Sequence, residues 1–168
     1  YCIYNKNMHV TNLTPELPAL AKPQGCTNLK LRQLMRRVAQ HYDAELGKAG
    51  LKTTQYSLLS CLVKLGDMKP GDLARVLKLD ASTMSRNLKP LVSAGWITLE
   101  AGTDGRSRLV SISAAGREKR QEAQRRWRVA QEGLNALLGV ANVGALHALI
   151  DDSLARLSPL NDEEPHSD

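Results

Sequence analysis

The sequence contains no phenylalanine, and aromatic residues make up only 4% of its 168 positions. A core must therefore be built from Leu, Val, Ile and Ala, which favours helices over a strand-rich sandwich. No apolar run approaches the roughly 18 to 20 residues that span a bilayer, and the first residues lack the apolar stretch of a signal peptide. These absences predict a mainly α protein of the cytoplasm, with no membrane partner.

Cysteine is scarce and odd in number, with Cys2, Cys26 and Cys61 far apart in the chain. This spacing argues against a disulfide framework and against a structural zinc site. The four histidines are scattered, and no Ser/His/Asp set, carboxylate pair or Gly-rich phosphate loop stands at an interpretable spacing. We therefore expect no metal, no cofactor and no enzymatic activity.

The excess of positive charge stops well before the C-terminal end of the sequence, and residues 1–68 carry nine Lys and Arg against four Asp and Glu. Residues 69–131 carry thirteen Lys and Arg against six Asp and Glu, whereas residues 132–168 carry one against seven. A basic body followed by an acidic end indicates a polyanionic partner that contacts one part of the molecule only.

Apolar residues recur at helical spacing in six segments, which predicts six helices. The segments begin near Asn28, Thr53, Pro70, Asp80, Ser113 and Asn142. Before them, Pro15, Pro18, Pro23 and Gly25 predict an extended N-terminal arm over residues 1–27. Residues 159–168 are acidic and are expected to form a disordered tail.

Between the fourth and fifth helices the periodicity changes to two. Ile97 and Leu99 alternate with polar residues, as do Val110 and Ile112, and residues 102–107 between them are rich in turn formers. This pattern predicts a small β-hairpin with a polar, cationic tip. A short helix, a tight turn, a second helix and a hairpin, in this order, describe a winged helix-turn-helix.

Two groups of side chains in this unit suit double-stranded DNA. Short donors and cations near the start of the fourth helix fit phosphates and base edges in the major groove. They are Ser82, Thr83, Ser85, Arg86, Asn87 and Lys89. At the hairpin, Arg106 has the reach to enter a minor groove, with Asp104 as its orienting partner and Arg108 beside it. The competing interpretations are a solvated helix face and an exposed turn arginine.

The segment DLARVLKLDASTMSRNLKPLVSAGW, residues 72–96, resembles the MarR family of bacterial regulators. The Asp-x-Arg wing at Asp104 and Arg106 and the junction at residues 112–116 extend the resemblance, which covers roughly residues 28–158. Two positions depart from the family pattern. Lys78 stands where such turns often have glycine, and Pro90, inside the recognition helix, should kink its second half.

The resemblance implies a homodimer on a pseudo-palindromic operator, usually a repressor released by a small molecule or an oxidant. It assigns residues 69–113 to a DNA-binding lobe and residues 28–48 and 114–158 to dimerisation helices. The apolar stripe from Val143 to Leu157 supports a dimer independently, because the winged domain offers it no partner.

The release signal has two candidates. A small aromatic acid would use Arg32 as carboxylate partner and Tyr56 as aromatic wall, in a pocket between the first, second and fifth helices. Alternatively, Cys26 before the first helix would sense an oxidant, because helix N-termini favour the thiolate. A third possibility is an architectural DNA-binding protein without a ligand switch, which the basic fifth helix favours.

Overall fold

The computed structural model describes residues 24–101 and 108–157. Within these ranges the elements follow in this order: α1 (Thr27–Leu46), a short 3-10 turn (Gly47–Ala49), α2 (Thr53–Leu65), α3 (Pro70–Leu77), α4 (Ala81–Ser93), β1 (Ile97–Ala101), β2 (Arg108–Ile112), α5 (Ala114–Leu138) and α6 (Val140–Leu157). The mainly α fold with one β-hairpin is therefore confirmed. Most of the predicted arm, the hairpin tip with Asp104 and Arg106, and the predicted acidic tail lie outside the described residues.

The helix-turn-helix is bounded by residues that suit its backbone. Pro70 occupies the first turn of α3, where its missing N–H is not needed. Lys78 ends α3 with φ 51° and ψ 44°, so the turn keeps the left-handed geometry that glycine usually provides. α4 then runs through Pro90 to Ser93 as one continuous helix.

The hairpin is antiparallel, with Ile97 opposite Ile112 and Leu99 opposite Val110. Ile97, Val110 and Ile112 are buried, as the predicted alternation requires. Met68 also pairs with Val110 through two backbone hydrogen bonds of 2.9 and 3.2 Å. The hairpin is thereby fixed to the segment that precedes α3.

The chain divides into two compact units, and α5 contributes to both. The first contains Gly25–Gln131, and its core packs α2, α3, α4 and the hairpin together. Its largest fully buried side chains are Leu46, Leu51, Leu58, Leu59, Leu62, Leu73, Met84, Leu91, Ile97 and Val110. The helical part of the second unit covers residues 132–157, where Val143 is buried.

The sequence predicts Asn142 as the N-cap of α6, and this prediction is wrong by three residues. α6 begins at Val140, directly after Gly139 with φ 82°, and Asn142 lies inside the helix. Its Nδ2 donates to the carbonyl of Leu138 at 2.8 Å. The left-handed backbone of Gly139 ends α5 and lets the chain turn directly into α6, so no capping side chain precedes Val140.

No single helix in the described part of the chain is long and apolar enough to cross a membrane, and α5 and α6 meet that test of length and composition only as a bent pair.

Candidate nucleic-acid interface

Asp80 organises the start of α4. Its Oδ1 accepts hydrogen bonds from the Thr83 backbone N at 2.7 Å and the Ser82 hydroxyl at 2.6 Å, and its Oδ2 accepts one from the Thr83 hydroxyl at 2.7 Å. These bonds, that from Ser82 first, hold the pKa of Asp80 well below its usual range. Asp80, near which the sequence predicts the fourth helix to begin, is therefore its N-cap and fixes where the helix begins.

α4 has one apolar face and one polar face. Met84, Leu88 and Leu91 are buried against the core. The exposed side chains at spacings of three and four on the other side are Ser82, Ser85, Arg86 and Lys89. We call these four residues the outward stripe. Its hydroxyls and cations are donors suited to phosphate oxygens and base edges.

Arg86 folds back along the helix. Its Nε lies 3.3 Å from the Ser82 carbonyl, and its Nη2 lies 3.3 Å from the Ser82 hydroxyl and 3.2 Å from the Thr83 hydroxyl. All three contacts are exposed and long, so the guanidinium can exchange them for stronger acceptors at little cost.

Asn87 and Thr83 lie elsewhere than sequence reasoning expected. Both were predicted on the outward face, and both are half-buried at its edge. The Asn87 amide donates from Nδ2 to the Thr83 carbonyl at 2.9 Å, and its Oδ1 accepts from the Thr54 hydroxyl at 3.0 Å. The reason is helix phase: Asn87 follows the buried Met84 by three residues and precedes the buried Leu88 by one.

Thr54 is a residue that sequence reasoning missed. It lies in the first turn of α2, 33 positions before its partner on α4. No local pattern signals a hydrogen bond between side chains so far apart in the sequence.

Of the three predicted wing residues, only Arg108 lies in the described part of the chain. It begins β2, is exposed, and stands opposite Ala101 in the hairpin register. Its cationic side chain therefore stands at the end of the hairpin that leads to residues 102–107.

A mostly apolar cleft of about 450 Å³ lies beside α4, between α3 and the hairpin. Pro70, Ala74, Met84 and Leu88 line it. Lys89 and Arg108 add two cations. The cleft thus combines an apolar wall with positive charge next to the outward stripe.

The predicted effector residues are not brought together. Tyr56 is buried, and its ring stacks on Trp127 with centroids 6.3 Å apart and planes 22° apart. Arg32 instead lies on an exposed concave face of α1, of about 620 Å³. Leu29, Arg32, Gln33, Arg36, Arg37 and Gln40 form that face.

The described cysteines differ in access. Cys26 is exposed at the start of α1, and Cys61 is buried in α2. Burial raises the pKa of the Cys61 thiol, as expected for a core cysteine. In residues 24–101 and 108–157, no three His, Cys, Asp or Glu side chains are arranged to hold a metal ion.

The sequence profile of the MarR family matches residues 49–107. The uncharacterized HTH-type transcriptional regulator YwoH of Bacillus subtilis (strain 168) is 30% identical over 93 residues, 55% of this chain and 68% of the relative. A probable transcriptional regulator from Pseudomonas aeruginosa shares the fold with a TM-score of 0.67 and 32% identity, over 77% of this chain and 95% of its own.

A third relative, the Mycobacterium tuberculosis transcriptional regulator MosR, was solved with DNA. It has a TM-score of 0.62 and 28% identity, over 75% of this chain and 98% of its own. The chain belongs to the MarR family of DNA-binding transcriptional regulators, and it is a regulator rather than an enzyme.

Proposed function

We propose that this protein is a homodimeric repressor that binds a pseudo-palindromic operator and is released from it by a small aromatic acid. The outward stripe of α4 carries the proposal, because four exposed polar or cationic side chains follow one helix face beside a hairpin. The partner is chromosomal DNA, so the protein acts in the cytoplasm of a bacterial cell.

Within this proposal, α4 enters the major groove with its N-terminal half. Arg86 takes the O6 and N7 acceptors of a guanine with two hydrogen bonds. Ser82 and Ser85 donate to phosphates or base edges, and Lys89 neutralises a phosphate. Arg108 and Arg106 act at the adjacent minor groove, with Asp104 orienting the latter.

Exposed apolar side chains support the homodimer. In the first unit, α1 exposes Leu29, Leu31, Leu34 and Met35. In the second unit, α6 exposes Leu149, Ile150, Leu154 and Leu157. Contiguous apolar surface of this kind marks a protein interface, and a two-fold interface would set two α4 helices against two half-sites about 34–36 Å apart.

Three observations bear on the effector. The concave face of α1 carries Arg32, Arg36 and Arg37, and guanidinium groups bind carboxylates with two hydrogen bonds. The Tyr56 ring stacks on Trp127, so a ligand can contact Tyr56 as an aromatic wall only if this stack opens. The cleft beside α4 offers an apolar surface with Lys89 and Arg108, and an acid there would compete directly with DNA.

The DNA-binding part is tested with a duplex that the wild-type protein selects from a random pool. Arg86→Ala should weaken binding to that duplex about 5- to 100-fold and relax preference at one base pair, as a lost bidentate contact of about 1–3 kcal/mol requires. Arg156→Ala removes another exposed arginine, paired with Asp152 on α6, and should leave binding unchanged. Equal binding by all three proteins would refute the docking.

The release signal is tested on the same complex by titrating salicylate and 4-hydroxybenzoate, with Arg32→Ala and Lys30→Ala as a matched pair. If an acid dissociates the complexes of the wild type and of Lys30→Ala but not that of Arg32→Ala, the result supports the site on α1. The redox alternative is favoured by the exposure of Cys26. Release by peroxide that Cys26→Ser abolishes, with no response to the acids, would replace the ligand proposal by the redox sensor.

A further inference from the structure

The first turn of α2 is held from both sides by adjacent threonines. Thr53 donates to Oδ1 of Asp43 on α1, from its backbone N at 2.7 Å and its hydroxyl at 2.6 Å. Thr54 donates its hydroxyl to Oδ1 of Asn87 on α4 at 3.0 Å. One turn of helix therefore lies between an anchor on α1 and a contact on the recognition helix.

We propose that Thr54 and Asn87 are positioning residues that fix the rotation of α4 about its own axis, and that Asn87 does not read a base. The inference rests on the proposed function, since it assigns a role to one of the residues predicted to contact DNA. It separates the outward stripe, which touches DNA, from a pair that sets the direction in which the stripe points.

The hydrogen bonds of Asn87 support this assignment. To read adenine, an asparagine needs a free Nδ2 donor and a free Oδ1 acceptor. In this structure Nδ2 is bound to the Thr83 carbonyl and Oδ1 to the Thr54 hydroxyl. The side chain is also half-buried, so turning it toward DNA would break two bonds and uncover part of the helix edge.

The hydrogen bond from Thr54 adds a directional restraint to the apolar packing of α4. Met84, Leu88 and Leu91 hold the buried face of the helix against the core and set its rotation coarsely. A hydrogen bond is directional, and the Thr54 contact lies at the edge of the buried face, where rotation changes distances most. A rotation of about 10–20° would already exceed the tolerance of a productive site.

The position of Thr54 is itself restrained. Because Asp43 binds the neighbouring Thr53 twice, the start of α2 cannot follow α4 without breaking its bonds to α1. Thr54 thus provides a fixed reference for Asn87.

The experiment is a double-mutant cycle on the selected duplex, with Thr54→Val, Asn87→Ala and the double variant, measured by fluorescence anisotropy and by urea unfolding. Each single variant should weaken binding about 3- to 10-fold, because each removes the hydrogen bond between Thr54 and Asn87. The double variant should bind no more weakly than Asn87→Ala alone. Base preference should weaken across the half-site rather than at one position.

Two further variants separate positioning from stability. Thr54→Ser keeps the hydroxyl and should restore binding to within about twofold of wild type. Thr53→Val removes one of the two bonds to Asp43 and keeps the bond from the backbone N, so it should lower stability and weaken base preference less than Thr54→Val does.

Several results would overturn the inference. Loss of preference at a single adenine with Asn87→Ala, with no effect of Thr54→Val, would make Asn87 a base reader. An equal loss of affinity for all duplexes, selected or not, with Thr54→Val and no effect of Asn87→Ala would make Thr54 a phosphate contact. Additive losses in urea unfolding would show that the two side chains are not coupled. If the wild-type protein selects no sequence from the random pool, the proposed function is refuted instead. The double-mutant cycle in urea unfolding tests the bond between Thr54 and Asn87 without DNA, so it separates that failure from the absence of the bond.

Discussion

At Gly116, α5 passes so close to the preceding turn that no larger residue fits. A Cβ there would lie 2.0 Å from the Trp96 carbonyl oxygen and 2.9 Å from Cγ1 of Ile112. Ser113 reinforces the junction by accepting from the Gly116 N at 3.0 Å and donating to the Gly95 carbonyl at 2.7 Å. Only glycine therefore fits at position 116, where α5 follows the hairpin.

Gly116→Ala should lower the free energy of unfolding by about 1–3 kcal/mol, because overpacking must move backbone. Gly144→Ala is the matched control, since Gly144 lies inside α6 with no atom within 4 Å of its added Cβ. Alanine there should raise stability by up to about 1 kcal/mol through helix propensity. Urea unfolding of both variants checks this, and a shift of both in the same direction would contradict it.

The carboxylate of Asp80 gives stability a defined pH dependence. Hydrogen bonds from Ser82 and Thr83 lower its folded-state pKa, so its contribution is present above the unfolded pKa of about 3.9. That contribution is lost as the pH falls through the lower folded value. Asp80→Ala should therefore be less stable than wild type at pH 7, and the difference should narrow below about pH 4.

Urea unfolding of the wild type and the Asp80 variants between pH 7 and pH 3 measures this difference. Asp80→Ser keeps an oxygen acceptor for the cap without an ionisable group. It should therefore lose less stability than Asp80→Ala at pH 7. A gap between wild type and Asp80→Ala that stays constant with pH would show that the charge of Asp80 does not act at the cap.

At the scale of elements, the sequence predicted what depends on local pattern. The helical spacing around Leu58 and the alternation around Val110 correspond to a buried helix and a buried strand. The start of α6 at Val140 was missed, because no Ser, Thr, Asp or Asn directly precedes it and the first such residue after Gly139 is Asn142. The stack of Tyr56 on Trp127 was missed as well, since it joins residues 71 positions apart.

The site shows the same division. The cap at Asp80 and the exposure of Arg86 follow from local sequence, and both are found. The half-buried setting of Asn87 depends on Thr54, which belongs to another helix. Whether a side chain at the edge of a helix face is exposed or half-buried depends on its tertiary neighbours, and a single sequence does not reveal those neighbours.

Pro90 lies inside α4, yet the helix continues to Ser93, and the Ala94 N still donates to the Pro90 carbonyl at 3.0 Å. Proline leaves the Arg86 carbonyl without its usual helical donor. Pro90→Ala should therefore raise the free energy of unfolding by about 1–3 kcal/mol. Base preference on the selected duplex should stay unchanged, because the outward stripe precedes Pro90; a destabilised variant in urea unfolding would contradict this account.

At the scale of the whole molecule, charge and apolar surface are separated along the sequence. Residues 69–131, which include α4 and the hairpin, carry thirteen basic residues against six acidic ones, whereas residues 132–168 carry seven acidic residues against one basic residue. The acidic segment also contains the exposed apolar residues of α6. Such a segment is unsuited to DNA and suited to protein contact, which agrees with a division of labour between reading DNA and pairing two chains.

This division predicts that dimerisation can be broken without unfolding the protein. Leu154 on α6 is 57% exposed, so Leu154→Glu adds charge to the proposed interface and little strain within the chain. Ser153→Glu adds the same charge one residue earlier, at an exposed polar position, and is the matched control.

Sedimentation equilibrium should give twice the chain mass for the wild type and for Ser153→Glu, and the chain mass for Leu154→Glu. Circular dichroism should show equal helix content in all three, because each chain keeps the buried core of its first unit. The monomeric variant should lose most of its affinity for the two-fold duplex, since a single α4 reads one half-site. A wild-type monomer at micromolar concentration that still binds such a duplex would contradict the homodimer.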